Sequence, residues 1–387
     1  MRRVATGERP DWRATAQSHG FVFHTLDGAP YWDESHAYAF SLAEIEDGIE
    51  GPSGDLHALC LAFAAQAAED ERILARLAIP ETAWDAIRTS WRRGDPSLYG
   101  RLDLAYGGPG PAKLLEYNAD TPTALYETGV FQWLWLEAGL RDGRLPPGAD
   151  QYNAVHERLI ARFRAVAGPG LLAFSADAQA PEDRGTVAYL EDCAVQAGCR
   201  TAFADLPDLG LQPDDSLCTR TGEPIGTLFK LYPWEWAFRD AFGGAVGRTP
   251  TRFLEPPWKA LLSNKGLLPC LWALEPGHPN LLPAYFEDDP RAAALGTSYA
   301  RKPLFSREGA NVSLVRDGAV LVARDGPYGA EGFVRQALAD LPDFAGRRAL
   351  VGSWIVGDAP VGLCMREATG LVTGNDALFV PHFIEPG

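Results

Sequence analysis

The sequence predicts a mixed α/β (α+β) chain, and three observations predict it. Residues 170–203 run strand–helix–strand, the rhythm of a βαβ unit with parallel strands. The last third alternates short apolar runs with Asp-Gly and Gly-Asp turns, which favours a mainly antiparallel sheet. Between them, Tyr99-Gly-Arg-Leu-Asp103 faces Leu115-Glu-Tyr-Asn-Ala-Asp120 across Gly107-Gly-Pro-Gly-Pro111, the densest turn signal in the chain.

Taken in order, residues 34–94 read as mainly helical. Ala and Leu recur at three- and four-residue spacing over 56–77, and a second helix starts at Pro80. The hairpin at 99–120 follows. The aromatic run at 126–135 predicts a buried helix, and 150–166 another. Strand 170–174, helix 186–197 and strand 200–203 form the βαβ unit, which lacks a G-x-G-x-x-G turn and so carries no dinucleotide fingerprint. A short helix with proline at its start is expected at 257–262. Strands are expected at 300–304, 312–316, 319–323, 333–338, 349–356, 359–365 and 371–373, with the apolar tail at 379–384 docked on the body. These shifts suggest three regions: 1–145, helices plus hairpin; 146–235, an inserted βαβ lobe; and 236–387, a lobe with lysines and a loop suited to phosphate.

The composition narrows the function. With 387 residues, 46% hydrophobic and 22% charged, the chain can bury a large core. A net charge of -16 argues against a nucleic-acid partner, which needs a basic surface, and is compatible with a cationic small molecule. The N-terminus shows no apolar signal region and no stretch is long enough to span a bilayer, so no membrane association and a cytoplasmic location are expected. The six cysteines (Cys60, Cys193, Cys199, Cys218, Cys270, Cys364) are scattered and form no C-x-x-C pair, which predicts free thiols.

Strand alternation puts Arg101 and Asp103 on one face of the hairpin, with Glu116, Asn118 and Asp120 on the same face of its partner. Folding about Pro109-Gly110 sets Asp103 opposite Glu116 and Arg101 opposite Asn118. Adjacent carboxylates need a cation or a raised pKa. Asp103, Glu116 and Asn118 are hard oxygen donors that suit Mg²⁺ and fit zinc poorly. The same spacing equally suits a solvated face with a salt bridge from Arg101, and spacing alone leaves the two level. Lys302 and Arg307, with Ser306, Gly309 and Ala310 in the loop between and after them, could approach phosphate oxygens, although no Walker A pattern is present. Lys265 alone would pass for an ordinary charge at a helix end, and Arg366, Thr373, Asn375 and His382 would not be chosen on physics alone.

Nine segments in order carry a resemblance: Tyr99-Gly-Arg-Leu-Asp, Leu115-Glu-Tyr-Asn-Ala-Asp-Thr-Pro-Thr, Phe131-Gln-Trp-Leu-Trp-Leu-Glu, Leu231-Tyr-Pro-Trp-Glu, Ser263-Asn-Lys-Gly-Leu-Leu-Pro, Arg301-Lys-Pro, Arg307-Glu-Gly-Ala-Asn-Val, Gly352-Ser-Trp and Phe379-Val-Pro-His. Together they resemble the glutathionylspermidine synthase family of ATP-grasp ligases, in its short form without an amidase domain. The resemblance implies an ATP-grasp fold and an ATP-dependent carboxylate–amine ligase working through an acyl phosphate. It implies Mg²⁺, as two ions, on Asp103, Glu116 and Asn118, and catalytic roles for Arg101 and Arg307. Nucleotide contacts are implied for Lys265, Lys302, Glu308, Gly309, Arg366 and Thr373, with an adenine hinge at Gln336, Ala337, Leu338 and Ala339. The implied partners are a small-molecule or peptide carboxylate and an amine, such as a polyamine; hydrolysis of glutathionylspermidine is not expected. The alternatives are a non-catalytic nucleotide-binding member, or a hydrolase using Asp103 and Glu116 as acid and base.

Overall fold

The computed structural model describes every residue except Asp27 and Asn375, and only the backbone of Leu26; the Asn375 noted above therefore lies outside the described residues. Among the described residues four sheets have three or more strands. The central one runs Leu378–Val380, Ala359–Ala368, Arg347–Val356, Tyr99–Ala105, Lys113–Asn118, with every neighbouring pair antiparallel. The hairpin has the expected register, Arg101 opposite Asn118 and Asp103 opposite Glu116. Both faces of this sheet are covered. Leu102, Leu104, Leu363 and Met365 pack against Leu56, Cys60 and Phe63 of the helix Gly51–Ala67. Tyr99, Trp354 and Cys364 belong to a second core with Phe131 and Trp135, Leu159 and Phe163. That double burial explains why all seven residues of Tyr99–Ala105 are buried, charged ones included.

The βαβ unit forms as read. Leu171–Ala176 and Thr201–Asp205 are parallel and joined by the helix Pro181–Gln196; Ile225–Lys230 and Arg252–Leu254 extend the sheet, also parallel. A five-stranded antiparallel sheet runs Ala284–Phe286, Phe333–Ala337, Tyr299–Pro303, Ser313–Arg316, Ala319–Ala323. The apolar tail docks as expected: His382–Ile384 pairs in parallel with His36–Phe40, whose other edge takes Arg2–Ala5.

Three expectations need correction, and one detail was not foreseen. The 34–94 stretch is mainly helical as expected, but it opens on the strand His36–Phe40, whose burial runs unbroken over four residues and hides any alternation. The helix over 56–77 is two helices, since the Asp70 carboxylate accepts from the Arg72 N–H at 2.9 Å and starts Glu71–Arg76 afresh. The helix expected from 150 begins at Val155. Residues 371–373 form no strand: carbonyls in and beside this segment are taken by side chains, Val372 O by Arg324 at 3.4 Å and Gly374 O by Arg366 at 3.3 Å. All six cysteines are unpaired. Among the described residues no helix is long and apolar enough to cross a membrane.

Candidate active site

A cleft of about 400 Å³ lies between the hairpin and the five-stranded sheet, and every residue to which the resemblance assigns a metal, nucleotide or catalytic role lines it. The hairpin supplies Arg101, Asp103, Glu116 and Asn118; the five-stranded sheet and its loops supply Lys302, Arg307, Glu308, Gly309 and the 336–339 stretch; the helix start at 265 and the segment 366–373 complete it.

The hairpin side of the cleft is a continuous charge network. Arg101 grips Asp103 with two bonds, Nε to Oδ1 at 2.7 Å and Nη2 to Oδ2 at 3.0 Å, and gives Nη1 to the Thr123 carbonyl at 2.6 Å. This fork is the strong form of a charge-assisted bond. The Asn118 amide donates to Asp103 Oδ2 at 3.0 Å and to Glu116 Oε1 at 3.3 Å. Glu116 Oε2 meets Lys265 Nζ at 3.0 Å, and the same Nζ donates to Ser306 O at 3.0 Å. The salt bridge foreseen as an alternative to a metal is therefore present, but buried instead of solvated: Arg101 and Asp103 are 8% and 3% exposed. Room for Arg101 comes from Gly352 on the neighbouring strand, where a Cβ would stand 2.8 Å from Arg101 Cδ and 2.6 Å from Cys364 Sγ.

Opposite, Lys302 Nζ donates to Leu115 O and to Gln336 Oε1, each at 2.8 Å, while Gln336 Nε2 donates to Leu114 O at 2.9 Å. The Gln336 side chain thus pins Lys302 against the hairpin, and the Ala337 N–H is engaged by Pro283 O at 2.8 Å. Arg307 reaches Thr121 Oγ1 at 3.0 Å and lies over Trp236 at 5.5 Å. Glu308, Gly309 and Asn311 all have positive φ, so the loop is tightly coiled. A Cβ on Gly309 would lie 2.7 Å from Val372 Cγ1, so glycine lets this loop touch the 371–373 segment. Arg366 donates to Gly374 O and Ala377 O, each at 3.3 Å, and lies over the Tyr31 ring. His382, the other C-terminal candidate, is sealed in the core with Nδ1 3.0 Å from Gln132 Oε1.

The electrostatics follow from these contacts. Burial pushes the Asp103 carboxyl up from its ordinary value, against the pull of Arg101. Desolvation would raise Glu116 too, but Lys265 and Lys302 outweigh it and hold it down at about 2. Burial lowers Lys302 to about 8, opposed by Glu116. Among the described residues no group of three or more His, Cys, Asp or Glu could hold a metal. The donor set here is two carboxylates and a carboxamide, which suits a cation that completes its shell with water and phosphate oxygens. Asp103 accepts three bonds and Glu116 two, against about four acceptor sites on each carboxylate, so both retain capacity.

Other residues in and behind the cleft wall escaped sequence reasoning. Lys230, at the carboxyl end of its parallel strand, donates to Asp120 Oδ1 at 2.7 Å and to Tyr232 O at 2.9 Å, and Asp120 Oδ2 takes the Trp234 N–H at 2.7 Å. Tyr31, Glu182 and Asp183 line the cleft near Arg307 and Arg366, and Tyr31 donates its hydroxyl to the buried Glu127. Burial, then neighbouring Glu182, raise Glu127 to about 7 and Asp183 to about 6. A lysine ending an apolar strand is a readable signal, because parallel sheets bind ligands at their carboxyl ends; the Tyr31–Glu127 contact joins residues far apart in sequence and left none.

A solved structure, a glutathione synthetase-like effector from Globodera pallida in its apo form, superposes with a TM-score of 0.56 over 98% of this chain and 99% of that one; at 11% identity this bears on fold alone. A Haemophilus influenzae protein named as a candidate acid–amine ligase is 41% identical over 404 residues, covering 100% of both chains. Trypanothione synthetase of Crithidia fasciculata is 29% identical over 84% of this chain and 53% of its own length. The bifunctional glutathionylspermidine synthetase/amidase of Escherichia coli is 26% identical over 97% of this chain and 62% of its own. The family model for the glutathionylspermidine synthase preATP-grasp region matches residues 3–385, and the chain belongs to that family.

Proposed function

We propose that this protein is an ATP-dependent acid–amine ligase that forms an amide through an acyl phosphate. One observation carries the reading: four cationic side chains, Arg101, Lys265, Lys302 and Arg307, line one cleft with the oxygen donors Asp103, Glu116 and Asn118. Such a set matches what phosphoryl transfer asks of a protein, which is positioning and neutralisation of charge more than covalent chemistry.

Asp103, Glu116 and Asn118 would hold Mg²⁺, which when bound supplies charge neutralisation on the phosphate oxygens. Lys302 and Lys265 would face the polyphosphate, and both already sit on acceptors that an incoming phosphate can replace: Gln336 Oε1 for Lys302, Ser306 O for Lys265. Arg101, held by Asp103 and Thr123 O, would present its guanidinium edge to the transferring phosphoryl group and the carboxylate that receives it. The loop around Gly309, anchored by Arg307, would exclude water from the acyl phosphate. Glu182 and Asp183 give the cleft an acidic end, where an ammonium group would be held before attack; a polyamine fits that chemistry and the chain's net charge of -16. The bidentate Arg101–Asp103 pair counts against a hydrolase, since it leaves Asp103 poorly placed to trade protons.

The test is ADP release over a matrix of peptide acids and amines, with mass spectrometry of the product. Amide product and ADP should appear together and require Mg²⁺. ATP hydrolysis without amide for every pair, or no thermal stabilisation by ATP with Mg²⁺, would remove the ligase reading.

A further inference from the structure

The loop that carries Arg307 is tied to the loop 325–332 beside it. Asn311 Oδ1 accepts the Tyr328 N–H at 2.8 Å, and Gly332 O accepts the Leu304 N–H at 3.0 Å. Besides Arg307, two arginines hold this pair of loops against the rest of the chain, and neither lines the cleft.

Arg239 reaches the loops from the turn after the short helix Trp234–Ala237. Its Nη1 donates to Glu235 O at 3.2 Å, which fixes the side chain to its own turn. The guanidinium then lies over the Phe305 ring at 5.5 Å, with Nη2 3.5 Å from Glu331 Oε1. Phe305 packs in a small apolar cluster with Leu304 and Val334, so this contact bears on the root of the Arg307 loop. Arg324 reaches the opposite way, from the end of the strand Ala319–Ala323 onto the 372–376 segment. Its Nη1 donates to Val372 O at 3.4 Å, and Nη2 stands 3.8 Å from Asp376 Oδ1. Gly374 makes room for it, since a Cβ there would meet the guanidinium. Both ion pairs are open to solvent: Arg239 is 43% exposed and Glu331 25%, Arg324 34% and Asp376 70%. Such pairs are weak one at a time and exchange readily with water, which suits contacts that must part to admit substrate.

We infer that Arg239 and Arg324 are positioning residues, which clasp the two loops over the cleft and so place Arg307 without touching substrate themselves. The clasp stands on geometry alone; its effect on turnover rests on the ligase reading above.

Two measurements keep those apart. Chymotrypsin cleavage after Phe305 and Tyr328, followed by mass spectrometry of the full chain, reads loop opening without any assay of activity, because cleavage tracks the population of the open form. Arg239→Glu, which faces Glu331, should speed this cleavage about fivefold, and Asp376→Arg, which faces Arg324, about two- to fivefold. Arg239→Glu combined with Glu331→Arg should return it to within about twofold of the parent. Arg141→Glu, at a side chain 72% exposed and away from the loops, should leave it unaltered. In the ADP assay Arg239→Glu should raise KM for ATP several-fold and increase the ATP hydrolysed per amide, with kcat near the parent value, and the charge swap should restore both. The inference is overturned if neither reversal speeds cleavage beyond Arg141→Glu, if the swap cleaves as fast as Arg239→Glu alone, or if faster cleavage leaves KM and coupling unchanged. A parent chain that forms no ADP with any acid and amine would strike the ligase reading instead, and restored cleavage in the swap would still support the clasp.

Discussion

Asn118 and Asp120 stand two residues apart, and the charge networks they enter behave oppositely. Asn118 joins Asp103, Glu116, Arg101 and Lys265 in a cluster that lines the open cleft and keeps acceptor capacity on both carboxylates. Asp120 enters a closed pair with Lys230. Both its oxygens are taken, Lys230 has two oxygen partners and a Trp234 ring at 4.1 Å, and the two side chains are 3% and 4% exposed. The charges are alike in kind; what differs is access, since the Glu116 side chain is 29% exposed to the cleft while both members of the Asp120–Lys230 pair are sealed. A sealed pair holds the chain in place, whereas a network open to the cleft can exchange partners.

The sharpest way to break this comparison is to remove one cation from each side, Lys302 facing the open network across the cleft and Lys230 in the closed pair. Lys302→Ala should lower ADP formation by about a thousandfold, the scale of losing one preorganised charge at a developing oxyanion, with only a small change in thermal midpoint. Lys230→Ala should do the reverse, costing about 3–5 kcal/mol in chemical denaturation by leaving Asp120 buried and unpaired. Equal stability losses from the two variants would mean that the open network is as structural as the closed one.

Glu127 is a third case, a buried carboxyl with no salt bridge among the described residues. Its folded pKa of about 7 lies above the ordinary 4.5, a difference of 2.5. The folded chain thus holds this proton where the unfolded chain has lost it. The stabilising effect is fully present below about pH 4.5 and lost as pH rises through 7, on the order of 3 kcal/mol at about 1.4 kcal/mol for each pH unit. Glu127→Gln, which resembles the protonated acid, should therefore gain stability over the parent as pH climbs from 4.5 to 8 and match it at pH 4. Parallel stability–pH curves for the two proteins would show that Glu127 is ionised in the folded state.

How much of this was legible in the sequence depended on the distance over which each feature is encoded. The hairpin was readable to the residue because a two-residue period and one turn fix which side chains share a face. Asp120 obeys the same alternation yet leaves the cluster, because Lys230, 110 residues away, claims it. The His36–Phe40 strand was hidden for a related reason: its two faces enter different cores, Tyr38 and Phe40 one and Ala37 and Ala39 the other, so neither its composition nor its periodicity marks it. Lys302 and Arg307 were visible only as a weak basic loop, and acquired meaning from the ordered set of motifs and from the cleft they share with Arg101.

The finest comparison lies within the open network, between the side chains fixed on strands and the loop that faces them. Gly309 has φ of +72° and no room for a Cβ beside Val372. Gly309→Ala should cost about 1–2 kcal/mol locally from the left-handed backbone alone, and the loop would relieve it by moving away from the 371–373 segment. Arg307 would then lose its place opposite Thr121, while Arg101, Asp103 and Lys302, held by strand hydrogen bonds, would stay. The expected outcome is a several-fold rise in KM for ATP and more ATP hydrolysed per amide formed, with the Lys302-dependent step intact. A variant with unchanged KM and unchanged coupling would show that the loop lines the cleft without closing it, and would leave the strand-borne charges as the whole of the nucleotide site.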